Sequence, residues 1–122
     1  MKYVLVADEL GNPLYTDHAA PPNLCPPLVI TQLFLRENLN EKCHSIQIGN
    51  LLVVFENVGD VFLTLVSNTG ESELFLRRQL YYIGRLLLLV FGKAYLSSRA
   101  VMAMSRERKT IDCIVRTVLH LF

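Results

Sequence analysis

The sequence predicts an α/β domain of the α+β kind, an antiparallel sheet with helices on both faces. Three observations carry that expectation. Leu51 to Glu56 and Val61 to Ser67 are nearly continuous β-branched and aromatic runs joined by Asn57-Val58-Gly59-Asp60, as central strands buried on both faces require. Gly49-Asn50 and Leu10-Gly11-Asn12-Pro13 are turn signals set between extended segments, so the strands they join are hairpin partners. Leu76, Leu80, Ile83, Leu87 and Val90 recur at helical spacing and mark the core stripe of a long helix.

Taken in order, Tyr3 to Asp8 is apolar on alternate and intervening positions and forms a first strand, with Leu14-Tyr15-Thr16 returning beside it. From Asp17 to Pro27, the prolines Pro21, Pro22, Pro26 and Pro27 remove backbone donors and leave a connecting loop. Leu28 to Asn38 is the first helix, with Ile30, Leu33 and Phe34 toward the sheet. His44 to Ile48 alternates between Ile46 and Ile48 on one side and Ser45 and Gln47 on the other, the pattern of a less buried strand. The second helix takes Asn68 or Thr69 as its cap, carries Glu71 and Glu73 near its positive end and stops at Gly92-Lys93. After an irregular link near Leu96 to Ser105, a final helix runs from about Glu107 to His120 on Ile111, Ile114, Val115, Val118 and Phe122. The element order is therefore ββαβββαα.

A chain of 122 residues is long enough for one real core and too short for two. Twelve Lys and Arg against eleven Asp and Glu leave a net charge of +1, which speaks against a nucleic-acid binder relying on phosphate neutralisation. The composition is 52% hydrophobic and 19% charged, which excludes disorder and leaves apolar side chains for a partner to cover. Three cysteines without paired spacing, Cys25, Cys43 and Cys113, point to a reducing compartment and a cytoplasmic protein. The apolar run Leu86 to Phe91 is far shorter than the roughly 20 residues of a bilayer span, and Arg77, Arg78 and Arg85 interrupt its helix.

Local catalytic machinery is missing. The chain has no phosphate-binding loop, dinucleotide fingerprint, nucleophile elbow or H-E-x-x-H helix, so neither an enzyme nor a cofactor is expected. Cys43-His44 with Cys25 or His18 lacks the spaced pairs of a structural zinc site, so no metal is expected either. Cys113 beside Asp112 would have its thiol pKa raised, not lowered, by that carboxylate, and reads as a core cysteine. A site gathered from His44, Asp60 and Cys43 is the remaining enzymatic alternative. Arg99, Arg106, Arg108 and Lys109 could touch acidic lipid headgroups, or form a solvated loop and helix start with Glu107 among them.

The apolar side chains left over are more informative. On the second helix, Phe75, Tyr82, Leu86 and Leu89 build a second greasy face, to be covered by the final helix or by another protein. On the first helix, Leu28, Val29, Leu35 and Leu39 remain after the sheet-facing residues are assigned, and no helix follows in sequence to cover them.

Three segments carry a family resemblance that spans essentially the whole chain. They are the opening Met1-Lys2-Tyr3-Val4-Leu5-Val6-Ala7, the turn Gly11-Asn12-Pro13-Leu14-Tyr15, and Leu76-Arg77-Arg78-Gln79-Leu80-Tyr81 leading to Phe91-Gly92. The pattern resembles the first longin domain shared by the Fuzzy, Mon and Hermansky-Pudlak syndrome proteins. The opening and the Leu-Arg-Arg segment look most like the Hermansky-Pudlak type-one protein. Ser72-Glu73-Leu74 and Asp112-Cys113-Ile114-Val115 look equally like Fuzzy.

The resemblance implies a longin-like five-stranded antiparallel sheet in the order 2-1-5-4-3, formed by residues 1–122 as one longin domain, the N-terminal one of a longer architecture. It implies pairing with a second longin-domain protein and guanine-nucleotide exchange on a Rab-family GTPase, in the cytoplasm at endomembranes or the ciliary base. Exchange needs no covalent chemistry, only tighter binding of the nucleotide-free GTPase, so missing catalytic motifs accord with it. A structural adaptor of the longin or roadblock kind, in a trafficking or ciliary assembly, is the alternative. The edge Ser45, Gln47 and Ile48 then joins Leu28, Val29, Leu35, Leu39, Phe75, Tyr82, Leu86 and Leu89 as the expected partner surface.

Overall fold

The computed structural model describes residues 1–8, 10–17, 20–21, 27–28, 30–31, 45–59, 61–92 and 107–121. Five strands, β1 (Lys2–Asp8), β2 (Pro13–Thr16), β3 (Ser45–Ile48), β4 (Leu51–Val58) and β5 (Val61–Ser67), form one sheet in the order β2-β1-β5-β4-β3. Every pairing is antiparallel. Two helices complete the described elements, α1 (Glu73–Phe91) and α2 (Arg108–Leu121).

Alternation along the strands divides the interior in two. Val4 and Val6 of β1, Val54 of β4 and Val61, Leu63 and Leu65 of β5 face the helices. There they meet Leu76, Leu80, Ile83 and Leu87 of α1 and Ile111, Ile114, Val115 and Val118 of α2. Each such side chain contributes about 1.5–3 kcal/mol by leaving water. The intervening residues Tyr3, Leu5, Ala7, Val53, Phe55, Phe62 and Val66 form a second cluster on the opposite face. Both described helices thus share one face. Ala20 and Leu28 pack against the other, and Pro27, Leu28, Ile30 and Thr31 are helical there, with the Thr31 hydroxyl donating to the Pro27 carbonyl at 2.7 Å. Leu33, Phe34 and the remainder of the expected first helix lie outside the described residues.

Several expectations are corrected. Leu28 packs on the sheet while Ile30 is 66% exposed, so the helical segment is rotated relative to the face assigned from spacing. Ser72, not Asn68 or Thr69, caps α1, its hydroxyl accepting from the Phe75 amide at 3.2 Å. Thr69 is engaged elsewhere, bonded to Ser67 at 2.7 Å and donating to Glu71 at 2.6 Å. Val90 is exposed and Phe91 buried in its place, because the i, i+4 ridge through Ile83, Leu87 and Phe91 continues along the core. Cys113 is exposed: it stands two residues after the buried Ile111, about 200° around the helix. Leu14 and Tyr15 are consecutive yet both buried against the helical face, since β1 pairs Val6 with Tyr15 and Ala7 with Pro13 and leaves Leu14 as a bulge.

Candidate protein-interaction surface

The two margins of the sheet differ in how they are closed. At the β2 margin, the Tyr15 hydroxyl donates to Asp112 Oδ1 of α2 at 2.7 Å. Arg116 of α2 reaches Asp112 at 3.6 Å and the buried carboxylate of Asp17 at 3.4 Å. This network clamps α2 along the short edge strand, and Pro13, which opens it, has no backbone N–H to offer. Burial first, then the bond to Asp112 and the charges of Asp17 and Asp112, push the Tyr15 hydroxyl well above its ordinary value; Arg116 pulls weakly the other way.

A pH dependence follows with a definite sign. A tyrosine whose folded value is raised stabilises the fold fully below the unfolded value of about 10 and loses that contribution as pH rises beyond it. Unfolding by urea at pH values from about 8 to 11 is expected to show stability falling on the alkaline side. Tyr15→Phe should flatten part of that fall and lower stability at neutral pH by about 1–2 kcal/mol. Tyr3, raised by burial, retains the rest.

Among the described residues nothing closes the β3 margin. β3 pairs with β4 through Ser45↔Val54, Ile46↔Val53, Gln47↔Leu52 and Ile48↔Leu51, and no strand lies beyond it among the described residues. A two-residue connection, Gly49-Asn50, makes Ile48 and Leu51 the hydrogen-bonded pair that closes the hairpin. Antiparallel alternation then turns the backbone N–H and C=O of Gln47 away from β4. Ile46 packs against the second cluster, and Ile48, two positions on and on the same side, is 62% exposed. Leu28 and Leu51 pack against the same cluster. Leu28, the edge of β3 and the apolar Ile48 are therefore assembled around one face.

Of the other expected surface residues, Phe75 and Leu86 are half-buried against the helical-face core, which α2 helps to form. Tyr82 and Leu89 stay exposed, at 45% and 79%. Val29, Leu35 and Leu39 lie outside the described residues, as do His18, Cys25, Cys43, His44, Asp60, Arg99 and Arg106. Arg108 and Lys109 are exposed at the start of α2. Among the described residues there is no group of His, Cys, Asp or Glu that could hold a metal, and no helix long and apolar enough to cross a membrane.

The family described as the first longin domain of FUZ, MON1 and HPS1 matches residues 2–121. The chain belongs to this longin family. A search of curated proteins returns no match. The match takes in β1 through α2, and the sheet order β2-β1-β5-β4-β3 is the one the resemblance implied.

Alternation had marked Ser45 to Ile48 as a less buried strand and the resemblance had put it at the sheet edge, but neither pointed to the Tyr15, Asp17, Asp112 and Arg116 network that ties α2 to the opposite margin of this longin domain. Its only trace in the sequence is the i, i+4 pair Asp112 and Arg116, which alone reads as a surface ion pair of little worth. A second network, equally unread, joins the start of β1 to the approach to α1. Lys2 bonds both carboxylate oxygens of Glu71, at 2.8 and 3.1 Å, with its ammonium 5.4 Å from the Phe75 ring centre. Burial pushes the Glu71 carboxyl up, but the bonds from Lys2 and Thr69 and the Lys2 charge outweigh it and hold the carboxyl below its ordinary value.

Proposed function

We propose that this longin domain is a non-catalytic interaction module. It pairs through the β3 edge with a second longin-domain protein, and the pair promotes nucleotide exchange on a Rab-family GTPase in vesicle traffic at cytoplasmic membranes. The observation that carries the pairing is the asymmetry of the sheet among the described residues, one margin clamped by α2 and the other with an outward backbone edge and an exposed isoleucine. Strand addition along such an edge takes affinity from main-chain hydrogen bonds and specificity from alternate side chains. Family membership supports the traffic setting, and the exchange reaction asks of the module only differential binding of GTPase states.

Gln47→Pro removes the outward donor, and Ile48→Glu places a charge on the apolar margin. Each should reduce recovery of a co-purifying longin-domain chain from native cells at least roughly tenfold while leaving the unfolding midpoint near that of the parent. Undiminished recovery in both variants overturns the pairing mode. The complex is also expected to retain nucleotide-free Rab over GTP-loaded Rab. Equal retention of the two would leave a structural adaptor instead of an exchange subunit.

A further inference from the structure

The outward side of α1 carries a second, differently built surface. Leu74, Arg78, Tyr81, Tyr82, Arg85 and Leu89 are all exposed. They fall into three rows seven residues apart: Leu74 with Tyr81, Arg78 with Arg85, and Tyr82 with Leu89. Seven residues are close to two helical turns, about 10.5 Å, so the rows run nearly parallel to the axis. The two arginines form the middle row and the apolar side chains flank it.

This surface is ordered and one-signed. Arg85 Nε donates to the Tyr81 hydroxyl at 2.8 Å, its guanidinium carbon lies 5.1 Å from the Tyr81 ring centre, and the Tyr81 and Tyr82 rings meet edge to face at 6.0 Å. A guanidinium fixed by one nitrogen and a ring face keeps its terminal N–H groups for a carboxylate. Glu73, the only carboxylate of α1, stands at the helix start and within 4.0 Å of Arg77, so none faces Arg78 or Arg85 from their own helix. Arg78 makes no ion pair among the described residues. Tyrosine and arginine are the side chains that dominate binding energy when a partner excludes water around them.

We propose that the outer face of α1 docks an acidic amphipathic helix of a partner protein, with carboxylates seven residues apart meeting Arg78 and Arg85 and aliphatic side chains packing on Leu74, Tyr81 and Leu89. Charge complementarity selects this occupant. A neutral apolar helix would bury two unpaired guanidinium groups. An anionic membrane would gain only about 1 kcal/mol from each arginine and offers no carboxylates spaced to meet the ordered Arg85 guanidinium and Arg78 in register. The surface is independent of the β3 edge and does not rest on the pairing proposed above.

A phage-displayed library of helical peptides, randomised along one face and selected on the 122-residue domain, tests the proposal. Enriched peptides should carry Asp or Glu at positions seven apart beside Leu or Ile. Binding of a synthetic enriched peptide should weaken with added salt and fall more than about tenfold for the double variant Arg78→Glu, Arg85→Glu. Arg78→Gln, Arg85→Gln serves if charge reversal lowers the unfolding midpoint. Ile48→Glu should leave the binding unchanged, which separates this surface from the β3 edge. Failure to enrich any peptide, enrichment of peptides without paired carboxylates, or binding that survives the loss of both arginines overturns the proposal. So does recruitment to phosphatidylserine-containing vesicles in the absence of peptide binding.

Discussion

Gly84→Val is expected to destabilise the domain by roughly 2–3 kcal/mol, although valine is the better helix former. Gly84 is buried in the middle of α1, where the helix crosses the sheet. A Cβ at this position would stand 2.8 Å from Cγ2 of Val58 on β4 and 3.2 Å from Cδ1 of Leu63 on β5. Val58 has one strongly preferred rotamer in a given backbone and cannot swing its methyl aside cheaply, so relief must come from moving helix and sheet apart. That separation loosens every contact along the row from Leu76 to Leu87. Gly84→Ala is the more informative partner. It recovers close to 1 kcal/mol of helix propensity and meets the same 2.8 Å contact, so its net cost should be smaller than that of valine, while an alanine on the exposed side of α1, at Arg78, should cost little. Urea unfolding of the three variants at one pH checks the order. A Gly84→Val protein as stable as the parent would mean that the helix does not approach the sheet this closely.

The central strands were legible because their composition leaves few alternatives. Val61 to Ser67 has β-branched or aromatic side chains at most positions and is bounded by turn residues, and β5 has those limits in the structure. Hairpin connectivity followed from Gly49-Asn50 and from the Gly11-Asn12-Pro13 turn, and it fixed antiparallel pairing before any sheet order was known. Choices between near-equivalent neighbours were not legible. Asn68, Thr69 and Ser72 are all competent caps, and the decision rests on Glu71, which draws Thr69 into a bond that ties it to β1 through Lys2. Val90 and Phe91 both extend the apolar stripe, and only the crossing of α1 over the sheet selects the second. Ile30 and Leu28 were exchanged for the same reason, since a short segment with apolar residues all round has no preferred face until it meets the sheet.

The candidate surfaces divide along the same line. Ser45 to Ile48 was readable as a less buried strand because alternation of polar and apolar residues is a property of one strand, and its place at the edge came from the family resemblance. That α2 is tied to β2 at the other margin was beyond reach: the bond that joins them links Tyr15 to Asp112 across 97 residues. On α1, Tyr82 and Leu89 stood out as apolar excess, whereas Arg78 and Arg85 counted only as charges that interrupt an apolar helix. Their meaning comes from Tyr81 holding Arg85 in place and from the absence of any carboxylate on that face of α1, and the first of these is a matter of geometry.

Gln79→Met should raise stability by about 1–3 kcal/mol, the opposite of what most core substitutions do. Gln79 is 1% exposed on α1, and among the described residues neither its amide nitrogen nor its amide oxygen has a hydrogen-bond partner. In the unfolded chain both atoms are hydrated, so folding strips water from a donor and an acceptor and returns nothing. Methionine has nearly the same length and flexibility, fills the same space and brings no polar atom, so the gain comes without a cavity or a clash. Leucine would remove the same penalty but is branched earlier and must fit between Leu76 and Ile83, so its benefit should be smaller. Gln79→Glu sets the opposite limit, because an unpaired carboxylate at that depth would have to be protonated to stay inside, and stability should then fall steeply as pH rises from about 5 to 8. Chemical denaturation of the methionine and glutamate variants over that range reads both effects. If methionine is neutral and glutamate is tolerated at pH about 8, water must reach the Gln79 amide in solution, and α1 and the packing around it must part often enough to admit it.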